Sequence, residues 1–323
     1  MLVSVLIPCH NAERWIAQCI ESALAQTWKD KEVIVVDDGS TDGSLQIIRS
    51  FGDRIRYETG PNRGGNVARN RLLQLARGEW LQYLDADDYL LPDKIEKQML
   101  FLADRPEVDV AFSRYIQETH RDGQVRQAVG MMPEPRDDPW VLLLRWDLSQ
   151  TGALLWRRQA VVDAGGWKED QPCCQEHELY LRMLEAGKRF EYCEDVGAVY
   201  RQWESGSVCT RNPAESHHRR LEIVQRAKNY LKAEGCLTPD RLWAANQGRL
   251  EVARLVWRYD PGRAADIARV IHRSQPTFLP GGPGRRIRYG LGYRLGYRLL
   301  GFEGVEKLAT WARQVLNRKA FFF

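Results

Sequence analysis

The 323-residue sequence is long enough for one large α/β domain with an appendage or for two domains, and its 44% hydrophobic and 28% charged residues are ordinary for a soluble globular chain. No apolar run approaches the ~18 residues that a membrane span needs, and Met1 to Pro8 lacks the basic leader and cleavage site of a signal peptide, so it is read as a strand. The net charge of +4 hides an asymmetry: nine Lys or Arg against two Glu between Thr277 and Phe323 give that segment +7, which leaves −3 for the rest. The seven cysteines have no CxxC spacing, and Cys173 and Cys174 are adjacent; an odd count without a framework predicts reduced thiols and a cytoplasmic protein.

In chain order, Val3 to Ile7 is an apolar run ended by Pro8, as in a central strand of a parallel sheet. A helix is predicted over 13–26, with Trp15, Ile16, Cys19, Ile20, Ala23 and Leu24 on its buried face. Residues 32–37 form a second strand, and Ser40 or Thr41 is placed to cap a helix running to about Phe51. A third strand over 54–57, a loop at Asn62-Arg63-Gly64-Gly65 and a helix over 66–77 follow. Trp80 to Leu84 is the fourth strand. This alternation predicts a doubly wound, mostly parallel sheet flanked by helices, with ligands outside the carboxyl ends of the strands. His10 and Asn11, Asp37 and Asp38, and the run 85–88 all fall at that edge.

Farther on, 108–115 and 151–156 are expected strands, 131–139 a loop, 141–146 and 176–186 helices, and 189–193 and 197–201 short strands. Helical patterns over 216–233 and 240–259 place a boundary near Asn212-Pro213. The chain is thus divided into an α/β domain over 1–212, a helical extension over 213–276 and a basic tail over 277–323. Pro280 to Gly284 is a breaker segment expected to detach the tail, and 305–316 is expected to be helical.

The fourth strand runs into three carboxylates within four residues, Asp85, Asp87 and Asp88. Such crowding is stabilised by a cation, and hard divalent ions take carboxylate oxygens while leaving positions for water and substrate phosphates. The plainer alternative is a solvated acidic turn before a helix. Asp37 or Asp38 can accept a base N–H or cap the next helix, and Gly64 and Gly65 let backbone approach a ligand.

Several stretches carry a resemblance: 3–11, Gln26-Thr27-Trp28, 32–42, Ala68-Arg69-Asn70, 84–88, Gly165-Gly166-Trp167 and 176–182. Together, and in this order, they resemble family 2 glycosyltransferases of the GT-A fold over roughly residues 1–210; the last third resembles no family. The resemblance implies inverting transfer of a sugar from a nucleoside diphosphate sugar with Mg²⁺ or Mn²⁺. It implies that Pro8, His10, Asn11 and Glu13 border the base and ribose. It puts the base on Asp38, which points to a UDP-sugar, and sets Arg63 near the base or diphosphate. Asp85, Ala86 and Asp87 stand in the family's DxD element. Asp87 is then the direct metal ligand, Asp88 a second ligand or structural partner, and Asp85 a contact to ribose or water. Glu176 stands where the family carries its general base, usually Asp. The extra methylene lets a slightly retracted backbone reach the same point, and Glu176 is preferred over Glu178. Trp156, Trp167, Tyr200 and Trp203 are core or acceptor-side aromatics.

Two other readings compete. A nucleotidyltransferase would open with a glycine-rich phosphate loop, which Pro8-Cys9-His10-Asn11 is not. A catalytically inactive binding protein on the same fold would have no reason to keep all these carboxylates. The expected partners are the sugar nucleotide, a glycan or lipid-linked acceptor and, through the Arg-, Tyr- and Phe-rich tail, an anionic membrane face; no nucleic acid is expected.

Overall fold

The computed structural model describes residues 1–121, 123–130, 138–203, 212–281 and 289–315. The chain forms two compact units, Met1–Pro139 with Asp147–Asn212, and Trp140–Trp146 with Pro213–Phe323.

The first unit is built on one sheet. Its parallel half comprises β1 (Val3–Cys9), β2 (Lys31–Asp38), β3 (Arg56–Gly60) and β4 (Trp80–Tyr83), with β1 paired to both β2 and β4 and β2 to β3. The core residues of β1 and β2 are buried on both faces, which is why they read as continuous apolar runs. Between the strands lie α1 (Ile16–Leu24), α2 (Ser44–Ser50) and α3 (Gly65–Leu75). In α1, Ile16, Cys19, Ile20 and Ala23 are buried at i, i+3, i+4, i+7 spacing. The chain continues through β5 (Tyr89–Leu90), α4 (Lys94–Leu102), β6 (Val110–Arg121) and β7 (Gln124–Val129). It ends with β8 (Leu154–Arg157), α6 (Arg158–Asp163), α7 (Gln175–Glu185) and β9 (Phe190–Trp203), after α5 (Pro139–Arg145). The strand order is β3-β2-β1-β4-β8-β6-β9-β5, with β7 on β6. β8 pairs antiparallel with β4 and β6, whereas β6 and β9 run parallel.

Several expectations are corrected. Neither Ser40 nor Thr41 caps α2; the Ser40 hydroxyl accepts the Asn11 N–H, and the helix begins at Ser44. The strand expected at 54–57 starts at Arg56, because Gly52–Arg54 forms a 3₁₀ turn. The two short strands at 189–201 are one long strand that crosses a register shift against β6. β6 continues past Tyr115 into a hairpin with β7, whose six residues are all exposed and so carry no burial signal in the sequence. The loop expected at 131–139 falls mostly on residues 131–137, outside the described ones.

The second unit contains α8 (Pro213–Ala233), α9 (Pro239–Val256), α10 (Pro261–Ser274) and α11 (Leu291–Val315). Thr238 and Asp260 cap α9 and α10 by accepting N–H groups three residues on, with Pro at the first helical position each time. Residues Trp140–Trp146 belong to this unit and not to the first. Gly248 explains the fit: a side chain there would come within 2.2 Å of the Leu144 carbonyl. The tail is not detached. Phe278, Tyr289, Tyr293, Phe302 and Val305 share one core with Leu250, Ala253, Trp257, Ile267 and Ile271. α11 is two helices meeting at Gly301 (φ 67°, ψ −175°), a left-handed position that favours glycine. Residues 282–284 of the breaker and 285–288 after it lie outside the described residues, as do 316–323 with their three terminal phenylalanines.

Candidate active site

The site lies at the carboxyl ends of β1, β2 and β4, where parallel topology leaves loops rather than ladders. The first two loops are joined by hydrogen bonds. Asn11 adopts a left-handed conformation (φ 49°), and its side-chain carbonyl accepts the Thr41 N–H at 2.8 Å. Glu13 accepts the Gly43 N–H at 2.8 Å, and Asp42 accepts the Glu13 N–H at 3.1 Å. His10 sits exposed between the Asp38 carbonyl (3.0 Å) and the Asn62 amide (3.1 Å). Pro8 is still within β1, opposite Val36.

Asp37 and Asp38 both hold backbone. Asp37 accepts the Thr59 hydroxyl at 2.7 Å and the Ser40 N–H at 3.3 Å. The two oxygens of Asp38 accept the N–H groups of Arg63 and Gly64, each at 2.8 Å, at the start of α3. Gly39 (φ 71°) is required at this crossing, since a Cβ would lie 2.5 Å from the Asn62 nitrogen. Asp38 is thus a loop-organising carboxylate, and any base it received would meet its remaining lone pairs. The Arg63 side chain is exposed.

The acidic run is held from below. Arg69 of α3 is buried and donates to Asp85 at 2.7 Å and to Gln175 at 3.1 Å, with its guanidinium 4.8 Å from the Trp167 ring centre. Asn70 locks both backbone groups of Trp167 at 2.8 Å, one donated and one accepted. A Cβ on Gly166 (φ 68°) would fall 2.7 Å from the Asn70 carbonyl oxygen. Glu178 is buried in a two-pronged pair with Arg182, which also donates to the Gly166 carbonyl at 2.7 Å. The motifs around Asn70, Gly166 and Arg182 are therefore one interlocked frame that orients α7.

That frame presents Glu176 in the first turn of α7, partly buried and accepting the Thr151 hydroxyl at 3.1 Å. Tyr200 reports how the acidic groups converge. Its phenol is pushed up by burial first, and then by the charges of Asp88, Glu176, Asp85 and Asp87. Arg69 joins Asp85 to Gln175, the residue before Glu176, and so ties the start of α7 to the acidic run, whereas Glu178 is committed to Arg182.

Asp87 and Asp88 carry the cost of crowding. Burial raises both above the usual carboxylate range, and the neighbouring carboxylates add to it. Asp88 accepts the Arg201 N–H at 2.8 Å through one oxygen. Its other oxygen is buried without a hydrogen-bond partner among the described residues. An orphaned buried carboxylate oxygen beside a second disfavoured carboxylate fits a divalent cation. Among the described residues no three His, Cys, Asp or Glu side chains close a cage, so such an ion would draw further oxygens from water or a diphosphate. Ala86 is buried between its acidic neighbours.

Arg201 was not foreseen. It is 5% exposed, donates to the Asp87 carbonyl (2.9 Å), Glu118 (2.8 Å) and Gln18 (2.6 Å), and lies between the Trp15 and Tyr89 rings at 4.6 and 4.5 Å. Burial opposes the charge on Glu118, but hydrogen bonds from His120, Gln127 and Arg201 outweigh it and hold the carboxyl at about 2. The only sequence signal for Arg201 was an arginine in an otherwise strand-like run. Of the four aromatics, Trp156 and Trp167 are core, whereas Tyr200 and Trp203 flank the carboxylates, Trp203 stacking on Trp15 at 4.3 Å.

Residues 4–161 match the family model described as glycosyl transferase family 2. An uncharacterized glycosyltransferase of Haemophilus influenzae is 40% identical over 105 residues, 31% of this chain and 42% of that one. The chain spans less than half the length of the first curated relatives it matches. Among solved structures, Staphylococcus aureus TarS 1–349 in complex with UDP-GlcNAc superposes with TM-score 0.63 at 16% identity, over 98% of this chain and 92% of that one. The mannosyltransferase PcManGT from Pyrobaculum calidifontis, in complex with GDP-Man and Mn²⁺, superposes with TM-score 0.53 at 18% identity, over 98% and 88%. Sheet topology and these likenesses define a GT-A fold. Over residues 4–161, just under half of its length, the chain is similar to glycosyl transferase family 2.

Proposed function

We propose that the protein is an inverting glycosyltransferase that moves a sugar from a nucleoside diphosphate sugar, a UDP-sugar, to a hydroxyl of a glycan or lipid-linked acceptor. The observation that carries this reading is the bridge that buried Arg69 makes between Asp85 of the acidic run and Gln175, the neighbour of Glu176 at the start of α7. One carboxylate can act as base only if it stands apart from those facing the leaving group yet within the same pocket. Glu176, held by Thr151, is the carboxylate we assign to that role. It would take the proton of the acceptor hydroxyl as that oxygen bonds to the anomeric carbon and the carbon–diphosphate oxygen bond breaks on the opposite face. That single in-line displacement inverts configuration.

Asp87 and Asp88 would hold Mg²⁺ or Mn²⁺, with Asp85 kept in place by Arg69 on the donor side. The ion supplies charge neutralisation of the departing diphosphate. His10, Asn11, Glu13, Asp38 and Arg63, together with Pro8 and Ala86, would border the base and ribose. UDP-GlcNAc in TarS and Mn²⁺ in PcManGT support a sugar nucleotide and a divalent ion of this kind. The +7 charge of 277–323 supports a peripheral position at the cytoplasmic face of a membrane, where a lipid-linked acceptor is presented.

Release of nucleoside diphosphate from a panel of sugar nucleotides, with and without Mn²⁺, tests the reading. Metal-dependent release from a UDP-sugar is expected. No release and no binding across the panel would leave only an inactive protein on this fold.

A further inference from the structure

The first half of α11 exposes three leucines on one line: Leu291 is 70% exposed, Leu295 50% and Leu299 78%. A spacing of four residues keeps them on one slowly drifting stripe of the helix. The opposite side is anchored in the core by Tyr293, 2% exposed, with Tyr297 packed against the same cluster. Arg294 and Arg298 each precede a leucine of the stripe, and residues 291–300 contain no acidic side chain. Beyond Gly301, Trp311 is 59% exposed and Leu308 51%. The acidic groups of this half are neutralised locally. Glu306 is 1% exposed and accepts from Arg254 at 2.7 Å and from the Tyr293 hydroxyl at 2.8 Å, and Glu303 faces Lys307 at 3.9 Å.

We propose that this face of α11 is the surface by which the protein lies on an anionic phospholipid bilayer, the leucines entering the boundary between headgroups and acyl chains and the arginines meeting lipid phosphates. The inference deepens the peripheral placement proposed above by naming the residues that make it. Contiguous exposed leucines are uncommon on a monomeric protein and mark an interaction surface. Charge selects the occupant. Arg294 and Arg298 border the stripe, no acidic side chain lies between 291 and 300, and the sequence from Thr277 to Phe323 carries +7. A second copy of the chain would set these arginines against their own kind. No helix among the described residues is long and apolar enough to cross a membrane, so the helix would lie in the plane of the interface.

The test is co-sedimentation of the full chain with phosphatidylcholine vesicles, with and without phosphatidylglycerol, at low and high salt. The wild type is expected to pellet only with phosphatidylglycerol at low salt. Replacing Arg294 and Arg298 together by alanine should weaken that binding by roughly 30-fold, at ~1 kcal/mol per basic residue. Leu295→Ser with Leu299→Ser should weaken it by roughly 30-fold or more while the thermal unfolding midpoint stays put, because both side chains are already exposed. Undiminished pelleting of the leucine variant would overturn this face and leave the peripheral placement standing on other residues. Failure of the wild type to pellet would overturn both. A wild-type dimer that the leucine substitutions convert to monomer, with vesicle binding unchanged, would assign the face to a second copy instead. None of these readouts depends on catalysis, so they stand apart from the transfer reaction.

Discussion

Thr151 donates its hydroxyl to Glu176 at 3.1 Å, from a 3₁₀ turn that leads directly into β8. That turn is pinned by side chains from β4 and α4. Gln98 donates to the Ala153 carbonyl at 3.0 Å, Gln82 to the Gly152 carbonyl at 2.9 Å, and Lys94 to the Leu154 carbonyl at 3.1 Å. A buried polar network of this kind has one low-energy arrangement. Thr151→Val should therefore lower kcat by about 10- to 100-fold, the loss of one hydrogen bond to a charged carboxylate, without changing KM for the donor, and Thr151→Ser should restore it. An equal loss in the serine variant would mean that the methyl packing matters and the hydroxyl does not.

Lys94 sets a pH dependence of stability. Complete burial lowers its pKa from 10.5 to about 7, opposed by Asp195 and Cys193. Between pH 7 and 10.5 the unfolded chain keeps the proton and the folded chain does not, so stability attributable to Lys94 rises with pH across that window. Below about 7 both states are charged and the folded state bears the full burial cost. Urea unfolding of wild type and Lys94→Met at both ends of the window should show the wild type gaining on the variant as pH rises. Parallel stability curves would contradict this.

Arg69 is the buried cation under the acidic run, and removing it strands Asp85. Arg69→Ala should destabilise the fold by about 3 kcal/mol, as breaking a buried pair does. Arg69→Lys should recover little, because one ammonium cannot reach Asp85, Gln175 and Asn66 together. Urea midpoints read both outcomes, and full recovery by lysine would show that only charge is needed.

Asp87 is disfavoured as an anion in the protein by itself, since burial and Asp85 both raise its pKa. Asp87→Ala should leave stability unchanged or slightly higher while abolishing Mn²⁺-dependent nucleotide binding. Calorimetry with UDP and Mn²⁺ checks both halves, and binding equal to wild type would remove Asp87 from the ion's shell.

Much of this architecture was legible in the sequence because it is written locally. The apolar runs of β1, β2 and β4, the buried stripe of α1 and the acidic turn after β4 all lie within a dozen residues each. What escaped is non-local or exposed. The β6–β7 hairpin has an exposed second strand with no apolar period. The pairing of Asn70 with Trp167 spans 97 positions, and that of Arg201 with Asp88 spans 113. Asp38 looked like a free acceptor because its partners are backbone N–H groups 25 and 26 residues away, which no side-chain pattern reveals. The tail looked detached because glycine and proline mark a break in the chain, whereas Tyr289, Tyr293 and Phe302 beyond the break return to the same core.

The central claim is that Glu176 is the base, and Glu176→Gln tests it most directly. The amide keeps the shape and the Thr151 contact but cannot accept the acceptor's proton. Turnover is predicted to fall by a factor on the order of 10²–10⁴, with donor affinity and unfolding midpoint unchanged. Near-normal turnover in Glu176→Gln, measured beside the buried Glu178→Gln, would contradict the account.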